Sequence, residues 1–413
     1  MYINRSAGGK LIKMSGTFPV VVVTGARQVG KSTLLEHLFK GRADIVVFDP
    51  VIDVENARQD PELFFNNHAT PIVLDEIQYA PELIPVIKRR VDKNRSPGQY
   101  IITGSQQWGV LNAISESLAG RCAFLDLGSL SLNEISKNHD DRTFISAWLD
   151  SPSDFLLSSP GRLPIGETLY KLLWTGWMPE AQFIDQDLVP DFYSAYIRTY
   201  IERDVRLLAN IADFQLFGRF VRLIAALSGQ EINYSQLGRE LGVSPKTAGI
   251  WVDILVSTFQ WFEIPPYSGN TVKRVSGKPK GYISDTGLAC VAQAISTPLA
   301  IGSHPNMGAL FKTAVVGEIR KQISILSPKP NLYHWRSHGG GEVDLILERD
   351  GVFYPVEIKS KSNPSRKDTT GISSFRKTYP HLNIEKGLVL GPSERMVQLS
   401  DLDYAVPWDS SGL

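Results

Sequence analysis

Short apolar, β-branched runs alternate with helical patterns over residues 18–130. Runs without polar interruption are typical of strands that are buried on both faces of a parallel sheet. The five predicted strands are Val20–Thr24, Ile45–Phe48, Ile72–Leu74, Tyr100–Thr103 and Ala123–Leu127. The pattern therefore predicts an α/β domain with a parallel sheet in this part of the chain.

Beyond this region the periodicity changes. Proline, glycine and serine cluster at Ser151–Gly161, which predicts a linker or an exposed loop. A helical pattern with a large apolar face runs from Glu167 to about Leu227, and three short helical stretches with a basic hairpin occupy Gly229–Ile283. We interpret these stretches together as a mainly helical middle region.

The C-terminal part begins with a predicted helix, Met307–Ser327, and continues as an α/β pattern. Its predicted strands are Leu332–Arg336, Val343–Leu347, Val352–Ile358 and Gly387–Leu390, with a helix before the last one. Three domains are therefore expected, over residues 1–150, 160–300 and 305–413.

Composition narrows the class of protein. Hydrophobic residues make up 43% and charged residues 21% of the chain, as in soluble globular proteins. Lysine plus arginine and aspartate plus glutamate number 43 each, so net charge attracts neither nucleic acid nor an anionic membrane. Cys122 and Cys290 suggest neither a disulfide framework nor a zinc site, and no apolar run is long enough to span a bilayer. We expect a cytoplasmic protein with no membrane contact.

The segment Gly25–Thr33 reads GARQVGKST and matches the phosphate-loop pattern G-x-x-x-x-G-K-[ST] between a predicted strand and a predicted helix. Glycines let backbone N–H groups curve around phosphates, and the helix N-terminus adds a positive dipole. Lys31 is expected to contact the β- and γ-phosphates, and the Ser32 hydroxyl to ligate Mg²⁺. The residues expected to bind the nucleotide, most simply ATP, are Gly25, Ala26, Arg27, Gln28, Val29, Gly30, Lys31, Ser32 and Thr33.

A second motif is an apolar strand, Ile72–Leu74, followed directly by Asp75 and Glu76. This is the Walker B arrangement, in which Asp75 would hold the magnesium ion through water. Glu76 would polarise the attacking water as the general base. The second carboxylate favours hydrolysis over phosphoryl transfer to another substrate.

Two further candidates would complete this catalytic site. Ser105, or as a second choice Gln106, follows the strand Tyr100–Thr103 and would sense the γ-phosphate or orient the water; either residue could instead cap the next turn. Arg121 is a candidate arginine finger, acting within the chain or on a neighbour, with an exposed structural arginine as the alternative.

The middle region contains two predicted short helices, Ser235–Leu241 and Ser244–Leu255, with Ser244 as N-cap and Pro245 in the first turn. The spacing is that of a helix-turn-helix, which would place Lys246 and Thr247 in a DNA major groove. We interpret this region as a winged helix.

The predicted wing is the basic segment Thr271–Lys280, with Lys273, Arg274, Lys278 and Lys280 near phosphates. DNA is accordingly a candidate partner. Aromatic residues such as Trp251 also fit a plain packing module, and Arg203 with Asp204 is expected to be a structural ion pair or interface contact.

Acidic residues and a lysine in the C-terminal part predict a second metal site. A hairpin carries Asp344, and the next strand carries Glu357 and Lys359 on one face. Glu318, on the preceding helix, could point at the same place. This order looks like the PD-(D/E)xK restriction-endonuclease fold.

In that fold Asp344, Glu357 and Glu318 would hold Mg²⁺, and Lys359 would orient or deprotonate the attacking water. A nuclease relic kept for DNA or partner binding is the alternative. His334 and His338 are interpreted as ordinary surface or turn residues.

The motifs together resemble the AAA-type P-loop ATPases of a prokaryotic family of ATP-binding proteins with a C-terminal domain of unknown function. The resemblance covers almost the whole chain: GARQVGKST, IVLDEIQ, ITGSQ, LAGR, TYIERDV, YSQLGRELGVSPKTAGIWVDIL, PKGYISDTGLA, EVDLIL and PVEIKS. It implies an ATPase and brings no settled biological role. AAA-type modules usually act in rings, so a homo-oligomer is a candidate state.

The leading hypothesis is an ATP- and Mg²⁺-dependent ATPase coupled to nucleic-acid binding, and to cleavage if the C-terminal site is active. The alternative is an ATP-switched regulator or scaffold that binds a protein partner through an inactive nuclease-like domain. A small-molecule kinase is disfavoured by Glu76 and by the large C-terminal half.

Overall fold

The computed structural model describes residues 2–48, 54–104, 114, 116–138, 142–200, 213–270, 277–337 and 339–412. The chain divides into two units. The first comprises Met1–Leu130 and Ser257–Phe259, and the second comprises Ser131–Val256 and Gln260–Leu413.

The first unit is built on a five-stranded parallel sheet in the order β2-β3-β4-β1-β5. Its strands are β1 (Val20–Thr24), β2 (Asp44–Val47), β3 (Ile72–Asp75), β4 (Tyr100–Gly104) and β5 (Cys122–Asp126). The α/β class and the parallel sheet are therefore confirmed, with strand ends within one residue of the prediction.

Burial along these strands follows their place in the sheet. The central strands β1, β3 and β4 are buried at every position, as expected when helices cover both faces. The edge strands expose apolar side chains, with Val47 57% and Phe124 42% exposed. The covering helices are Ala7–Ser15, Lys31–Phe39, Val54–Gln59, Pro61–Asn67 and Leu83–Lys93, with a 3₁₀ turn at Ile77–Tyr79.

The middle part of the second unit is mainly helical and contains a small antiparallel sheet of order β6-β8-β7. Its strands are β6 (Gln230–Glu231), β7 (Trp261–Ile264) and β8 (Lys280–Ile283). Its helices are Leu132–Ile135, Phe144–Asp150, Pro152–Ser158, Leu169–Thr175, Val189–Tyr200, Phe214–Ala226, Tyr234–Leu241, Pro245–Ser257, Thr286–Ala292 and Pro298–Ser303, with 3₁₀ turns at Glu180–Gln182 and Gln186–Leu188.

The segment predicted as a linker, Ser151–Gly161, is corrected by the structure. It contains the helix Pro152–Ser158, with proline in the first turn. Phe155 and Leu156 are 4% and 5% exposed within the main core of the second unit. Two apolar anchors therefore outweigh the flanking Pro, Gly and Ser residues that suggested an exposed loop.

The C-terminal part of the second unit is a mixed sheet in the order β14-β15-β13-β11-β10-β9, with β12 pairing to β11. Its strands are β9 (Asn331–Arg336), β10 (Glu342–Arg349), β11 (Val352–Ile358), β12 (Asn383–Ile384), β13 (Gly387–Gly391), β14 (Val397–Gln398) and β15 (Asp403–Pro407). The helices are Met307–Ser324 and Thr370–Thr378, with a 3₁₀ turn at Arg366–Thr369.

Strands β9, β10 and β11 form an antiparallel meander, whereas β13 and β15 continue the sheet in parallel with β11. One face is covered by the helix Thr370–Thr378, whose Ile372 and Phe375 are fully buried with Trp335 and Val343. Among the described residues, no helix has the length and apolar character needed to cross a membrane.

Candidate functional site

The loop Gly25–Thr33 connects β1 to the helix Lys31–Phe39, as its sequence pattern requires. Gly25, Gln28 and Gly30 have positive φ angles of 151°, 62° and 90°. A Cβ at Gly25 would overlap the carbonyl oxygen of Leu127, so a side chain there would displace the loop. The backbone is thus held in a tight curve that opens onto a helix N-terminus, the arrangement that binds phosphate groups.

Lys31 lies inside this loop and is 5% exposed. Its Nζ donates to the carbonyl oxygens of Gly25 and Ala26 at 3.0 and 2.9 Å. These two backbone carbonyl groups therefore fix the position of the ammonium group against the loop. Ser32 and Thr33 are exposed in the first turn of the helix.

Arg5 is a loop-positioning residue that the sequence interpretation missed. It is 6% exposed, and its guanidinium donates to Val29 O and Gly128 O, each at 2.6 Å. The same side chain therefore fixes the phosphate loop to the segment after β5. No motif marks this role, because it depends on a contact across 123 residues of sequence.

The second motif lies at the carboxyl end of β3, where Asp75 is 3% exposed. Thr103, at the end of the neighbouring strand β4, donates from Oγ1 to Asp75 Oδ1 and accepts from the Glu76 N–H at 3.0 Å. Glu76 has a left-handed backbone (φ 59°, ψ 48°), and its carboxylate accepts from Gln78 Nε2. Thr103 thus joins the two acidic residues.

The sheet order explains this arrangement. Strand β4 lies between β3 and β1, so the end of β4 separates the acidic pair from the phosphate loop. From the sequence we expected a polar side chain in this position, with Ser105 as first choice and Gln106 as second. Both lie outside the described residues. The residue that contacts Asp75 is Thr103, inside the strand.

Arg121, the candidate arginine finger, is engaged elsewhere in this chain. Its Nε donates to Asp92 on the helix Leu83–Lys93, and its Nη1 donates to Ala119 O at 3.0 Å. The hydrogen bond from Arg121 lowers the pKa of the Asp92 carboxyl group below its usual value. A finger role would require Arg121 to leave Asp92.

The C-terminal candidate residues Asp344, Glu357 and Lys359 lie on β10 and at the end of β11, which pair directly. Asp344 is 2% exposed and Glu357 is 4% exposed. Ile358 N–H donates to Asp344 Oδ2 at 3.0 Å, and Lys359 Nζ donates to Glu357 Oε2 at 3.1 Å. The structure therefore brings these two strands' charged groups together.

Two lysines that were not assigned to this site also reach it. Lys312, on the helix Met307–Ser324, donates to Asp344 Oδ1 at 2.6 Å. Lys280, on β8, is 3% exposed; its Nζ lies 3.6 Å from Asp344 Oδ1 and donates to Glu342. Lys280 was expected to face DNA in a wing, and this is corrected: it is buried against carboxylates.

The two buried carboxyl groups have opposite pKa shifts. Burial raises the pKa of Glu357 to about 8, and the neighbouring Asp344 charge adds to the rise. Burial alone would also raise the pKa of Asp344, but Lys312 and Lys280 outweigh it and hold that pKa below its usual value. The lysines therefore keep Asp344 ionised.

Glu318 does not join this group, which corrects the predicted three-acid site. It is 1% exposed, and its carboxylate accepts from Leu132 N–H at 3.1 Å and from Gln322 at 2.9 Å, with Lys321 at 3.0 Å. Among the described residues, no three His, Cys, Asp or Glu side chains converge as a metal site would require. Glu318 instead satisfies the N-terminus of the helix Leu132–Ile135.

Three family models match successive parts of this chain. An AAA domain model matches residues 17–136, a domain of unknown function (DUF8612) matches residues 166–299, and a second one (DUF4143) matches residues 307–410. Uncharacterized protein Rv2008c of Mycobacterium tuberculosis is 30% identical over 406 residues, covering 98% of this chain and 83% of the relative. Uncharacterized protein Mb2031c of Mycobacterium bovis gives the same values.

The chain belongs to the same family as these relatives. It carries an AAA domain followed by a C-terminal DUF4143 domain.

The solved structures that match this chain are more distant in sequence than the mycobacterial relatives. The Walker-type ATPase PABY2304 of Pyrococcus abyssi has 13% identity and a TM-score of 0.41, covering 71% of this chain and 96% of its own. The RuvB Holliday junction branch migration motor of Thermotoga maritima has 14% identity and a TM-score of 0.29, with 64% and 90% coverage.

The middle region of this AAA-family protein contains the two expected short helices. Asn233 caps the helix Tyr234–Leu241, and Ser244 caps the helix Pro245–Ser257 by accepting from Thr247 N–H at 3.0 Å. Lys246 and Lys278 are exposed, whereas Lys273 and Arg274 lie outside the described residues, as do Arg203 and Asp204.

His334 is not a surface residue, in contrast to its interpretation from the sequence. It is 1% exposed on β9, and its Nε2 lies 3.1 Å from Lys278 O. Burial, with the nearby Lys280 ammonium, lowers the pKa of His334 to about 4. His338 lies outside the described residues.

Proposed function

We propose that this protein binds ATP with Mg²⁺ at Gly25–Thr33 and hydrolyses it. The observation that carries the proposal is the Asp75–Thr103–Glu76 connection at the strand ends, beside a loop that curves onto a helix N-terminus. The loop supports this proposal, because Gly25, Gln28 and Gly30 have positive φ angles and the helix Lys31–Phe39 begins directly after them, so backbone N–H groups can curve around phosphates. Asp75 and Ser32 supply oxygen ligands of the kind that magnesium prefers.

The chain's residues would divide the work as follows. The loop amides and Lys31 would bind the phosphates, and Ser32 and Asp75 would hold the metal ion, Asp75 through water. Glu76 would take the proton of the attacking water. Thr103 would hold Glu76 and Asp75 in fixed positions relative to each other. The magnesium ion would offset charge on the phosphates. Ser105 remains our candidate for orienting the water.

Hydrolysis is tested by Glu76→Gln, which keeps the size of the side chain and removes the base. We expect ATP turnover to fall by about 100-fold or more, with ATP binding retained. Lys31→Ala should abolish binding, and Glu36→Gln, an exposed position on the helix that follows the loop, is the matched control. Wild-type turnover in the Glu76→Gln protein would remove Glu76 from the mechanism.

We also propose that the middle region is a winged helix that contacts DNA. Its order is helix Phe214–Ala226, β6, two short helices, β7 and β8, with β8 in the centre of the sheet. Lys246 is exposed in the first turn of the second short helix, where a recognition helix contacts DNA. This order and this exposed lysine support a DNA-contacting module.

DNA contact is measured by the anisotropy of a labelled duplex and by ATP turnover with and without it. Lys246→Glu should weaken binding and flatten its salt dependence, because one phosphate contact becomes repulsive. Lys329→Glu, an exposed lysine elsewhere in the second unit, should have no such effect. Equal losses in both variants would indicate only a general charge effect.

A further inference from the structure

The C-terminal carboxyl groups are contacted by lysine side chains from three different parts of the chain. Lys312 comes from the helix Met307–Ser324, Lys280 from β8, and Lys359 from the residue after β11. They face three carboxyl groups, those of Glu342, Asp344 and Glu357. A lysine ammonium group thus lies beside each of these three carboxyl groups.

Both oxygens of Asp344 have partners within this cluster. Lys312 Nζ lies 2.6 Å from Oδ1, and Ile358 N–H donates to Oδ2 at 3.0 Å. A magnesium ion binds carboxylate oxygen at about 2.1 Å and keeps several waters, so it would need the space next to Oδ1 that Lys312 fills. An ammonium group and a divalent cation on one oxygen would also repel each other.

Helix geometry explains why Lys312, and not Glu318, reaches Asp344. Glu318 lies six residues after Lys312, which is about 240° around the helix axis, so the two side chains face different neighbours. Lys312 faces Asp344, whereas Glu318 faces Leu132 and Gln322. The acid that would complete a metal site is therefore replaced at the site by a lysine.

The carboxyl group of Glu357 is also enclosed by neighbouring protein groups. Glu357 Oε2 accepts from Lys359, and a Cβ at Gly371 would overlap Glu357 Oε1, so the N-terminal turn of the helix Thr370–Thr378 lies against it. Both side-chain oxygens of Asp344 and of Glu357 therefore have protein neighbours.

We propose that the Lys312 ammonium takes the place of the divalent cation in the nuclease-like pocket. The pocket is then a metal-independent ion network that fastens β8 and the helix Met307–Ser324 to the C-terminal sheet. It does not cleave nucleic acid. This inference goes beyond the proposed ATPase activity and does not depend on it.

The test restores an acid at the helix position. Mn²⁺ binding is measured by calorimetry on the full chain without nucleotide, in a Lys31→Ala background so that the phosphate loop does not contribute. We expect no Mn²⁺ site that depends on Asp344 in the protein with Lys312. Lys312→Glu should create one site, at least about tenfold tighter than any residual binding, and Asp344→Asn should remove that gain.

Lys312→Met is the matched control, because it removes the ammonium without adding a ligand and should bind less Mn²⁺ than Lys312→Glu. It also serves if Lys312→Glu fails to fold: Mn²⁺ should then raise the melting temperature of Lys312→Met protein more than that of the protein with Lys312. Two results would overturn the proposal. One is a Mn²⁺ site in the protein with Lys312 that Asp344→Asn abolishes. The other is metal-dependent cleavage of plasmid DNA that the same substitution abolishes.

Discussion

Thr103 connects the metal-binding and water-activating acids of the proposed ATPase site. Its hydroxyl donates to Asp75 and accepts from the backbone N–H of Glu76, and the residue is fully buried. Removing the hydroxyl leaves the partly buried Glu76 N–H and a carboxylate oxygen of the buried Asp75 without this partner, which costs about 1–3 kcal/mol.

Thr103→Val is expected to lower kcat for ATP roughly 10- to 100-fold, because Asp75 and Glu76 lose their shared partner, and to weaken Mg²⁺-dependent ATP binding through Asp75. Thr103→Ser keeps the hydroxyl and should retain most of the activity. Steady-state phosphate release, with ATP binding measured separately, distinguishes the two effects. Equal activity of the Val and Ser variants would show that the hydroxyl has no catalytic consequence.

His334 gives the second unit a stability that depends on pH. Its pKa is about 4 in the folded protein and about 6.5 in an unfolded chain. As the pH falls from 6.5 to 4, the unfolded chain takes up a proton that the folded protein does not, so the free energy of unfolding decreases.

Over this range the wild-type protein should lose up to about 3 kcal/mol more than His334→Gln protein. Urea unfolding at a series of pH values measures the difference, and His381→Gln, at an exposed histidine, is the control. Parallel pH profiles for wild-type and His334→Gln protein would contradict the assignment.

At the level of elements, close backbone approach in the C-terminal sheet depends on one helical glycine. A Cβ at Gly371 would overlap both the carbonyl oxygen of Glu342 and the carboxylate of Glu357. Gly317, inside the helix Met307–Ser324, has no atom within 4 Å of an added Cβ.

Gly371→Ala should therefore destabilise the protein by about 1–3 kcal/mol or more, because the helix Thr370–Thr378 must move away from β10. Gly317→Ala should be neutral or stabilising by up to about 1 kcal/mol. Chemical unfolding of both variants checks the contrast, and equal effects would mean that the helix position is not constrained by this contact.

The difference between local patterns and contacts that are distant in sequence explains what the sequence could predict. Strand β1, the phosphate loop and β3 are continuous in sequence, and their apolar runs and glycines identify them directly. Arg5 and Lys312 act through partners that are distant in sequence, so no local pattern marks them. Glu318 was misassigned because the sequence does not show which neighbouring element its face of the helix contacts.

At the level of the whole molecule, the sequence predicted the α/β class and the parallel sheet of the first unit, and the structure confirms both. It missed β15, whose short run Asp403–Pro407 contains polar and proline residues yet pairs along its whole length with β13. The three domains, over residues 1–150, 160–300 and 305–413, remain our proposal for how the functions are divided.

Calorimetric titration of the purified full chain with ATP, in MgCl₂ and in EDTA, tests the nucleotide site most directly. We predict one ATP site per chain that is strengthened by Mg²⁺ and lost in Lys31→Ala protein. No ATP binding by the wild-type protein, or unchanged binding after Lys31→Ala, would contradict the central claim that Gly25–Thr33 binds Mg²⁺ and ATP.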